Sequence, residues 1–393
     1  MAVHSSKTPA LARPGRVNRM KLQEQLTGYL FILPATLLIA IFGLFPILYA
    51  AYMSTHRWRV RQGPFVGLEN FTRTLGDWSG AGLLAGGLAL LLVAYWLGAE
   101  RFKAPPLAGA GERLLRTLPA LLLSAGALFA VGSGWERMTV SGDARFLGSL
   151  VVTLYYAVGA IPVQIALGLV IAAVLFQGLK GQEFFRMMFF VPYVVPVAAA
   201  AVVFGRLFSP RETGFMNTVF TTLGLEPQRW LQDPRPSLQV FFGLELGGVW
   251  AGPSVGLVVI ILFGIWNYTG FTIILFLAGL GGINKELYEA AEIDGANRVQ
   301  SFWSITVPLL SPITFYLSLI GFIGALQVFT TVYVMRTPQL LGSADTAGVV
   351  IFDTFFSRNQ YGLATAQAFI LFTVILFVTF VQYRILGRRV FSG

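Results

Sequence analysis

Cysteine is absent from the 393 residues, and histidine occurs only twice, at His4 and His56. The first absence removes any disulfide framework, thiolate nucleophile or cysteine metal site; the second leaves too few imidazoles for a histidine-built metal centre. Charge is scarce as well: 12% of residues are Asp, Glu, Lys or Arg, against 55% hydrophobic, and the mean hydropathy is +0.70. A soluble domain of this length needs far more charge to cover its surface, so bilayer is the expected solvent. There is no Gly-Lys dipeptide, so no P-loop lysine can reach a bound phosphate. A His-Glu catalytic pair and an Asp-rich diphosphate motif are also missing. Of the 18 acidic residues only Glu245 lies inside an apolar run. An ion-coupled transporter usually places a carboxylate or histidine at membrane depth, so that class is disfavoured. Carbonyls and hydroxyls alone can bind sodium, which keeps a secondary transporter as an alternative.

What is present is a series of long apolar segments and 43 glycines, which let membrane helices approach closely. A crossing helix needs roughly 20 apolar residues. About eight segments qualify: Leu26–Ser54, Ala81–Ala99, Thr117–Gly134, Ser149–Phe176, Met187–Phe208, Ser254–Leu280, Leu309–Met335 and Ala364–Tyr383. The predicted fold class is therefore all-α, a polytopic integral membrane protein. Arg13, Arg16, Arg19 and Lys21 precede the first segment in the manner of a signal peptide, but its apolar core is too long and no small-residue cleavage pattern follows.

The net charge of +10 is spread between apolar runs, a pattern that reports orientation rather than a nucleic-acid ligand. With the N-terminus inside, the short inner segments and both tails hold 16 of the 28 Lys and Arg residues and all five lysines. Both termini are thus expected in the cytoplasm: a tail over 1–25, a first span over 26–54, an outer loop over 55–80, a hairpin over 81–134, a core over 149–383 and a tail over 384–393. The hairpin turn carries Arg101, Lys103, Arg113 and Arg116, which places it inside. Gly82 and Gly86 form a small-xxx-small pair that could pack the hairpin. Between Leu238 and Gly282 the chain is apolar for longer than one span, and a shallow surface helix over Leu238–Trp250 followed by one crossing is preferred to two crossings.

The informative stretch is the polar loop over 284–308. Asn284 is a plausible N-cap, Lys285–Asp294 contains strong helix formers, and Gly295 suits a left-handed stop. Leu287, Ala290, Ala291 and Asp294 share one helical face with small side chains in its middle. Taken on its own, this is an interfacial helix turn that another protein's surface could approach.

The loop also resembles the EAA signature of bacterial ABC-importer membrane subunits: Glu-Ala-Ala, three residues, Gly, nine residues, Ile, one residue, Leu-Pro. Here stand Glu289-Ala290-Ala291, Gly295, Ile305 and Val307-Pro308, with Val307 the single departure. Gly28–Pro34, Phe184–Pro192, Leu287–Gly295 and Gln327–Phe329 further resemble the carbohydrate-uptake branch, typified by maltose-type permeases. The resemblance covers about Leu22–Asp77 and Arg145–Phe391; the hairpin falls where family members have a short outer loop or a folded outer domain.

The resemblance implies a type I importer permease fold in the bacterial inner membrane and a non-enzymatic role. It implies as partners a second homologous permease, two ATP-binding subunits and an extracytoplasmic sugar-binding protein. No cofactor would be bound by this chain, since ATP and Mg would sit in the partner ATPase. By resemblance Glu289 would pair with a basic residue of that ATPase, with Ala290, Ala291, Asp294, Gly295, Ile305 and Pro308 completing the coupling loop. For the solute, a neutral sugar is held by amides, hydroxyls and flat apolar faces. Trp266, Asn267, Tyr268 and Thr269 in the sixth span and Gln327, Phe329, Thr330 and Tyr333 in the seventh are the candidates, at or near the family's sugar contacts. The family commonly has Asp where Thr330 stands. The same amides and hydroxyls could equally bond between helices. A maltose- or trehalose-like oligosaccharide is the leading expectation and glycerol-phosphate the second.

Overall fold

The computed structural model describes residues 17–102, 110–177 and 180–387, with the side chains of 17–23, 99–102 and 110–117 left aside. The chain forms two compact units, Met1–Met53 and Ser54–Gly393. In the first, α1 (Val17–Ile39) runs through a π-helical turn at Ala40–Leu44 into α2 (Phe45–Ser54). Pro46 explains the turn: it has no N–H for the carbonyl four residues back, and the wider winding absorbs the mismatch. The stretch Glu24–Ser54 is long and apolar enough to cross a bilayer.

The second unit opens with the short α3 (Glu69–Leu75), then α4 (Trp78–Phe102) and α5 (Ala110–Ser141). These two form a tight helical hairpin; part of its basic turn lies outside the described residues. Gly80, Gly87 and Ala94 repeat every seven residues along α4. A Cβ on Gly87 would lie 2.8 Å from the Ala127 carbonyl oxygen, and one on Gly134 would lie 2.7 Å from the Gly80 carbonyl oxygen. Small residues at a heptad spacing let two helices meet along a seam without driving side chains apart. The expected pair Gly82 and Gly86 takes no part, since both face open space. The hairpin begins and ends at one point. Asp143 N donates to Thr74 O at 3.1 Å and Asp77 N to Ser141 Oγ at 3.0 Å. Gly76, at φ 78°, takes a backbone that glycine alone adopts freely.

The remaining spans are α6 (Ala144–Phe176), the pair α7 (Gln182–Val194) and α8 (Val197–Leu207), α11 (Val255–Gly281), α15 (Ser311–Leu326) and α18 (Tyr361–Leu386). Between α8 and α11 lie α9 (Phe215–Thr222) and α10 (Ser237–Phe242). Residues 243–254 are irregular apart from one 3-10 turn, so the surface helix expected over 238–250 is only its first turn and a half. Then come α12 (Lys285–Ile293), α13 (Arg298–Ser301), a π turn at Phe302–Thr306 and α14 (Val307–Leu309). After α15 follow α16 (Thr330–Met335) and α17 (Ala347–Phe352).

Among the described residues six helices are long and apolar enough to cross a membrane, and two bent pairs raise the number to eight. The bends correct two expectations. Met187–Phe208 is not a straight span: α7 and α8 meet at 103°. Val195 sits at φ −68°, ψ 138° because Pro196 bars the residue before it from the helical region. Leu309–Met335 likewise contains a 61° bend at Leu310, flanked by Pro308 and Pro312, and a second break at 327–329.

At the centre, α11 packs on α6 and α7 through glycines. A Cβ on Gly168 would approach Thr272 Cγ2 to 2.5 Å, and one on Gly264 would approach the Tyr156 hydroxyl to 2.4 Å. Phe146, Leu257, Ile260 and Phe263 are fully buried in the core cluster that α6 and α11 share. The segments at the end opposite the 285–306 loop are cross-tied. Arg145 donates to Asp345 at 3.2 Å and to Asp353 at 2.7 Å, and Arg336 reaches the same two carboxylates at 3.1–3.2 Å. Asp345 is fully buried. Burial alone would raise the Asp353 carboxyl, but hydrogen bonds from Arg336 and Arg145 outweigh it and hold the group below its ordinary range.

Candidate functional site

Two places stand out, a loop at one end of the second unit and a cavity within it. The loop is built from local chemistry. The Asn284 side chain accepts from Glu286 N at 3.1 Å and starts α12. Gly295, at φ 80°, then turns the chain in the left-handed conformation expected for it. Asn297 starts α13 with a capping box, its side chain accepting from Gln300 N while Asn297 N donates to Gln300 Oε1. A tie that the sequence did not reveal joins the two arms: the Tyr288 and Thr306 hydroxyls lie 2.9 Å apart.

On this frame Glu289, Ala290 and Asp294 are exposed, Ala291, Ile305 and Pro308 half-buried. Glu289 makes no ion pair among the described residues. Leu287, Ile293, Val299 and Trp303 are all exposed, Ile293 by 86%. A hairpin of two short helices thus exposes apolar side chains around a carboxylate that makes no ion pair among the described residues, a surface open to a partner protein.

The cavity holds about 480 Å³ between α6, α7, α11, α15 and the break before α16. Its position follows from that break. At Gln327–Phe329 the helix stops and its carbonyls lose their usual donors; Thr346 Oγ1 donates to Val328 O at 2.9 Å and repairs one of them. The opened backbone carries Gln327, Phe329 and Thr330 into the lining, and α11 supplies Tyr268. Four of the eight expected path residues therefore line the cavity.

The other four do not. Trp266 stacks on Phe204 with centroids 5.6 Å apart. Thr269 Oγ1 donates to Ile265 O at 2.6 Å within its own helix. Tyr333 stacks on Phe329 at 5.1 Å and carries the Arg336 guanidinium 4.7 Å over its ring, joining the cavity wall to the charge cluster. Asn267 is buried, and its Nδ2 donates to Pro192 O at 2.5 Å. In an unbroken helix that carbonyl would take the N–H of residue 196, which is proline. Asn267 supplies the missing donor and steadies the elbow between α7 and α8.

The cavity also uses residues outside the expected set. Gln164, with Nε2 donating to Gly264 O at 3.0 Å, lines it from α6, and Tyr193 joins from the α7 elbow, stacked on Phe271 at 5.2 Å. A lone glutamine inside an apolar span was the available signal for Gln164; nothing local marked Tyr193. Among the described residues, none of those in the lining is charged.

A Gly-x-Ser-x-Gly spacing occurs at Gly252–Gly256, yet Ser254 is no nucleophile. Its Oγ accepts from Leu257 N as the N-cap of α11 and donates to Ser343 O, both at 3.2 Å. Among the described residues no group of His, Asp and Glu could hold a metal ion.

Residues 164–392 match the family of binding-protein-dependent transport system inner membrane components. The trehalose/maltose transport system permease protein MalF of Thermococcus litoralis is 26% identical over 373 residues, 94% of this chain and 97% of that protein. The arabinooligosaccharides transport system permease protein AraP of Bacillus subtilis is 29% identical over 256 residues, 65% of this chain and 76% of that one. In three dimensions the chain is similar to the structure of a bacterial ABC transporter involved in the import of the acidic polysaccharide alginate. The TM-score is 0.59 at 18% identity, over 95% of this chain and 99% of that one. At that identity the likeness concerns the fold.

Proposed function

Because the chain belongs to the family of binding-protein-dependent transport system inner membrane components, we propose that it lines the solute path of an ATP-driven importer for a neutral oligosaccharide, of the maltose or trehalose class. The observation that carries the choice of solute is the cavity lining: amides, hydroxyls and aromatic faces from Gln164, Tyr193, Tyr268, Gln327, Phe329 and Thr330, with no ionised group. Flat rings stack on the apolar faces of pyranoses while amides take their hydroxyls. The similarity to a trehalose/maltose permease over nearly its whole length supports the same reading.

In this reading a second, related permease completes the path, two ATPase subunits bind ATP and Mg, and an extracytoplasmic binding protein delivers the sugar. The chain itself performs no chemistry. Both termini and the 285–306 loop face the cytoplasm, where Glu289 pairs with a basic residue of the ATPase, and Gly295 keeps the two loop helices at a fixed angle. Closure of the ATPase dimer then moves the loops together, and the spans follow as rigid bodies to open the cavity outward.

A glycerol-phosphate solute is the second reading, since the sn-glycerol-3-phosphate permease UgpA of Agrobacterium fabrum is 28% identical over 255 residues. A phosphate dianion would want a cation in the lining, and Arg145 and Arg336 are both engaged by carboxylates. The test is ATP hydrolysis by the reconstituted importer, with its binding protein, in the presence of trehalose, maltose or glycerol 3-phosphate. Stimulation by a neutral disaccharide is expected, and Gln327→Ala should cut uptake several-fold, as for one lost hydrogen bond of about 1 kcal/mol. Stimulation by glycerol 3-phosphate alone would reverse the assignment.

A further inference from the structure

Residues 241–250 read Phe-Phe-Gly-Leu-Glu-Leu-Gly-Gly-Val-Trp, and all ten are exposed, Phe242 by 72% and Trp250 by 75%. The segment is held in place. Ser237 N donates to Pro253 O at 2.9 Å and Val255 N to Arg235 O at 3.0 Å across its neck, and the Tyr155 hydroxyl donates to Val249 O at 2.6 Å. An apolar loop fixed in an exposed position marks a contact with something apolar. We infer that this loop is a membrane-surface anchor, seated at the headgroup boundary of the leaflet opposite the 285–306 loop, which is the outer leaflet in the orientation proposed above.

Three observations favour lipid over a protein occupant. The first is depth. α6 has 33 residues, about 50 Å of helix at 1.5 Å per residue. The hydrocarbon layer is roughly 30 Å, so about 10 Å of helix projects at each side. Tyr155 lies about 16 Å below the first residue of α6, and helical side chains lean back toward the N-terminus. Its hydroxyl, and the Val249 carbonyl bound to it, therefore sit near the boundary of the hydrocarbon.

The second is direction. The loop faces α6 across a cavity lined by Ala144, Gly148, Val151 and Tyr155, with Trp135 and Thr139 of α5 beside them and Gly248 and Val249 on the loop side. Gln164, on the cavity side, is nine residues from Tyr155, about 180° around the helix. The anchor thus lies at the periphery, turned away from the path over which a solute-delivering protein would dock. The third is composition: aromatic residues at both ends of the run, no lysine or arginine, and Glu245 as its single charge. Trp at a membrane–water boundary places an amphipathic ring at headgroup level. With no cation the attachment is apolar, so it should be insensitive to salt and to the fraction of anionic lipid.

The inference needs only a membrane-spanning chain, so it stands or falls separately from the identity of the solute. Because the chain has no cysteine, Phe242→Cys and Trp250→Cys each accept one environment-sensitive fluorophore. Glu226→Cys, on the exposed connection that follows α9, is the aqueous control. The assembled importer, with partners free of reactive cysteine, is placed in nanodiscs of phosphatidylethanolamine with doxyl groups at carbon 5 or carbon 12 of the acyl chain. At positions 242 and 250 the shallow doxyl should quench at least about twice as strongly as the deep one. Iodide should quench far less there than at position 226, with or without the binding protein. Free iodide access would overturn the anchor, as would shielding that appears only when the binding protein is added. Shielding from both iodide and doxyl lipid would also overturn it, by showing a protein cover.

Discussion

The two ends of the second unit are built on opposite terms. At one end Arg145, Arg336, Asp345 and Asp353 neutralise one another in a partly buried cluster, and Asn217 serves five hydrogen bonds, including Trp230 Nε1 at 2.7 Å. At the other end the 285–306 loop leaves Glu289 without an ion pair among the described residues and Ile293 and Trp303 in the open, held by two caps, one glycine and one hydroxyl pair. The first end uses its polar groups internally and fixes the relative positions of α6, α16 and α17. The second keeps its own shape with local bonds and leaves its side chains exposed. The coupling proposed above would draw on this division: a loop folded by its own bonds, and a remote clamp that ties the spans together.

The comparison can be broken most sharply at the clamp. Asp345→Ala leaves two arginines facing one carboxylate in a largely desolvated site, and a loss of about 3 kcal/mol is expected. Thermal unfolding of the purified chain should show it as a clear fall in midpoint, while affinity of the loop for the ATPase stays unchanged. Equal loss of ATPase binding would mean that the two ends are not separable.

Next is the elbow. Asn267→Leu removes the donor to Pro192 O and leaves that carbonyl buried without a partner, for about 2 kcal/mol. The outcome should be lower stability; a change in sugar selectivity with full stability would instead place Asn267 on the solute path.

At the loop, Gly295→Val forces a β-branched residue to φ 80°, a strain of about 1–2 kcal/mol confined to the hairpin. Sugar-stimulated ATP hydrolysis should drop severalfold with little change in global unfolding. Glu289→Lys should likewise weaken ATPase docking by reversing the charge at the proposed contact.

The smallest effect concerns pH. Asp353 has its carboxyl held below the ordinary value of 3.8. A group lowered on folding contributes stability that is fully present above its unfolded pKa and lost as pH falls through the folded one. The Asp353 contribution should therefore be equal at pH 7 and pH 5 and weaken only below about pH 4. A midpoint that falls between pH 7 and 5 in wild type but not in Asp353→Asn would contradict this.

The same contrast explains what could be read from the sequence. The cap at Asn284 and the left-handed turn at Gly295 act over a few residues, so they were legible one window at a time. Arg145 and Asp353 are 208 positions apart, and neither carries a local mark of the other. The long apolar helices were legible because length and hydropathy define them, whereas the elbow at Val195–Pro196 and the break at Gln327–Phe329 needed the prolines and the opened carbonyls to be seen together. Asn267 is instructive: an amide in an apolar span has two possible employers, a solute or an orphaned carbonyl, and here its Nδ2 lies 2.5 Å from Pro192 O and outside the cavity lining.

The meeting of the hairpin's two ends has a consequence for how such a chain can vary. A Cβ on Gly142 would lie 2.7 Å from Gly76 N and equally close to Thr74 O, so the backbone leaves the rest of the second unit and returns to it at almost the same point. Excising 77–141 and splicing Gly76 to Gly142 would remove an even number of crossings and leave every later segment on its original side of the membrane. The α4–α5 pair, zipped along its own glycine seam, has the geometry of a cassette: a two-helix module that can be gained, lost or exchanged without redrawing the topology of the permease that carries it.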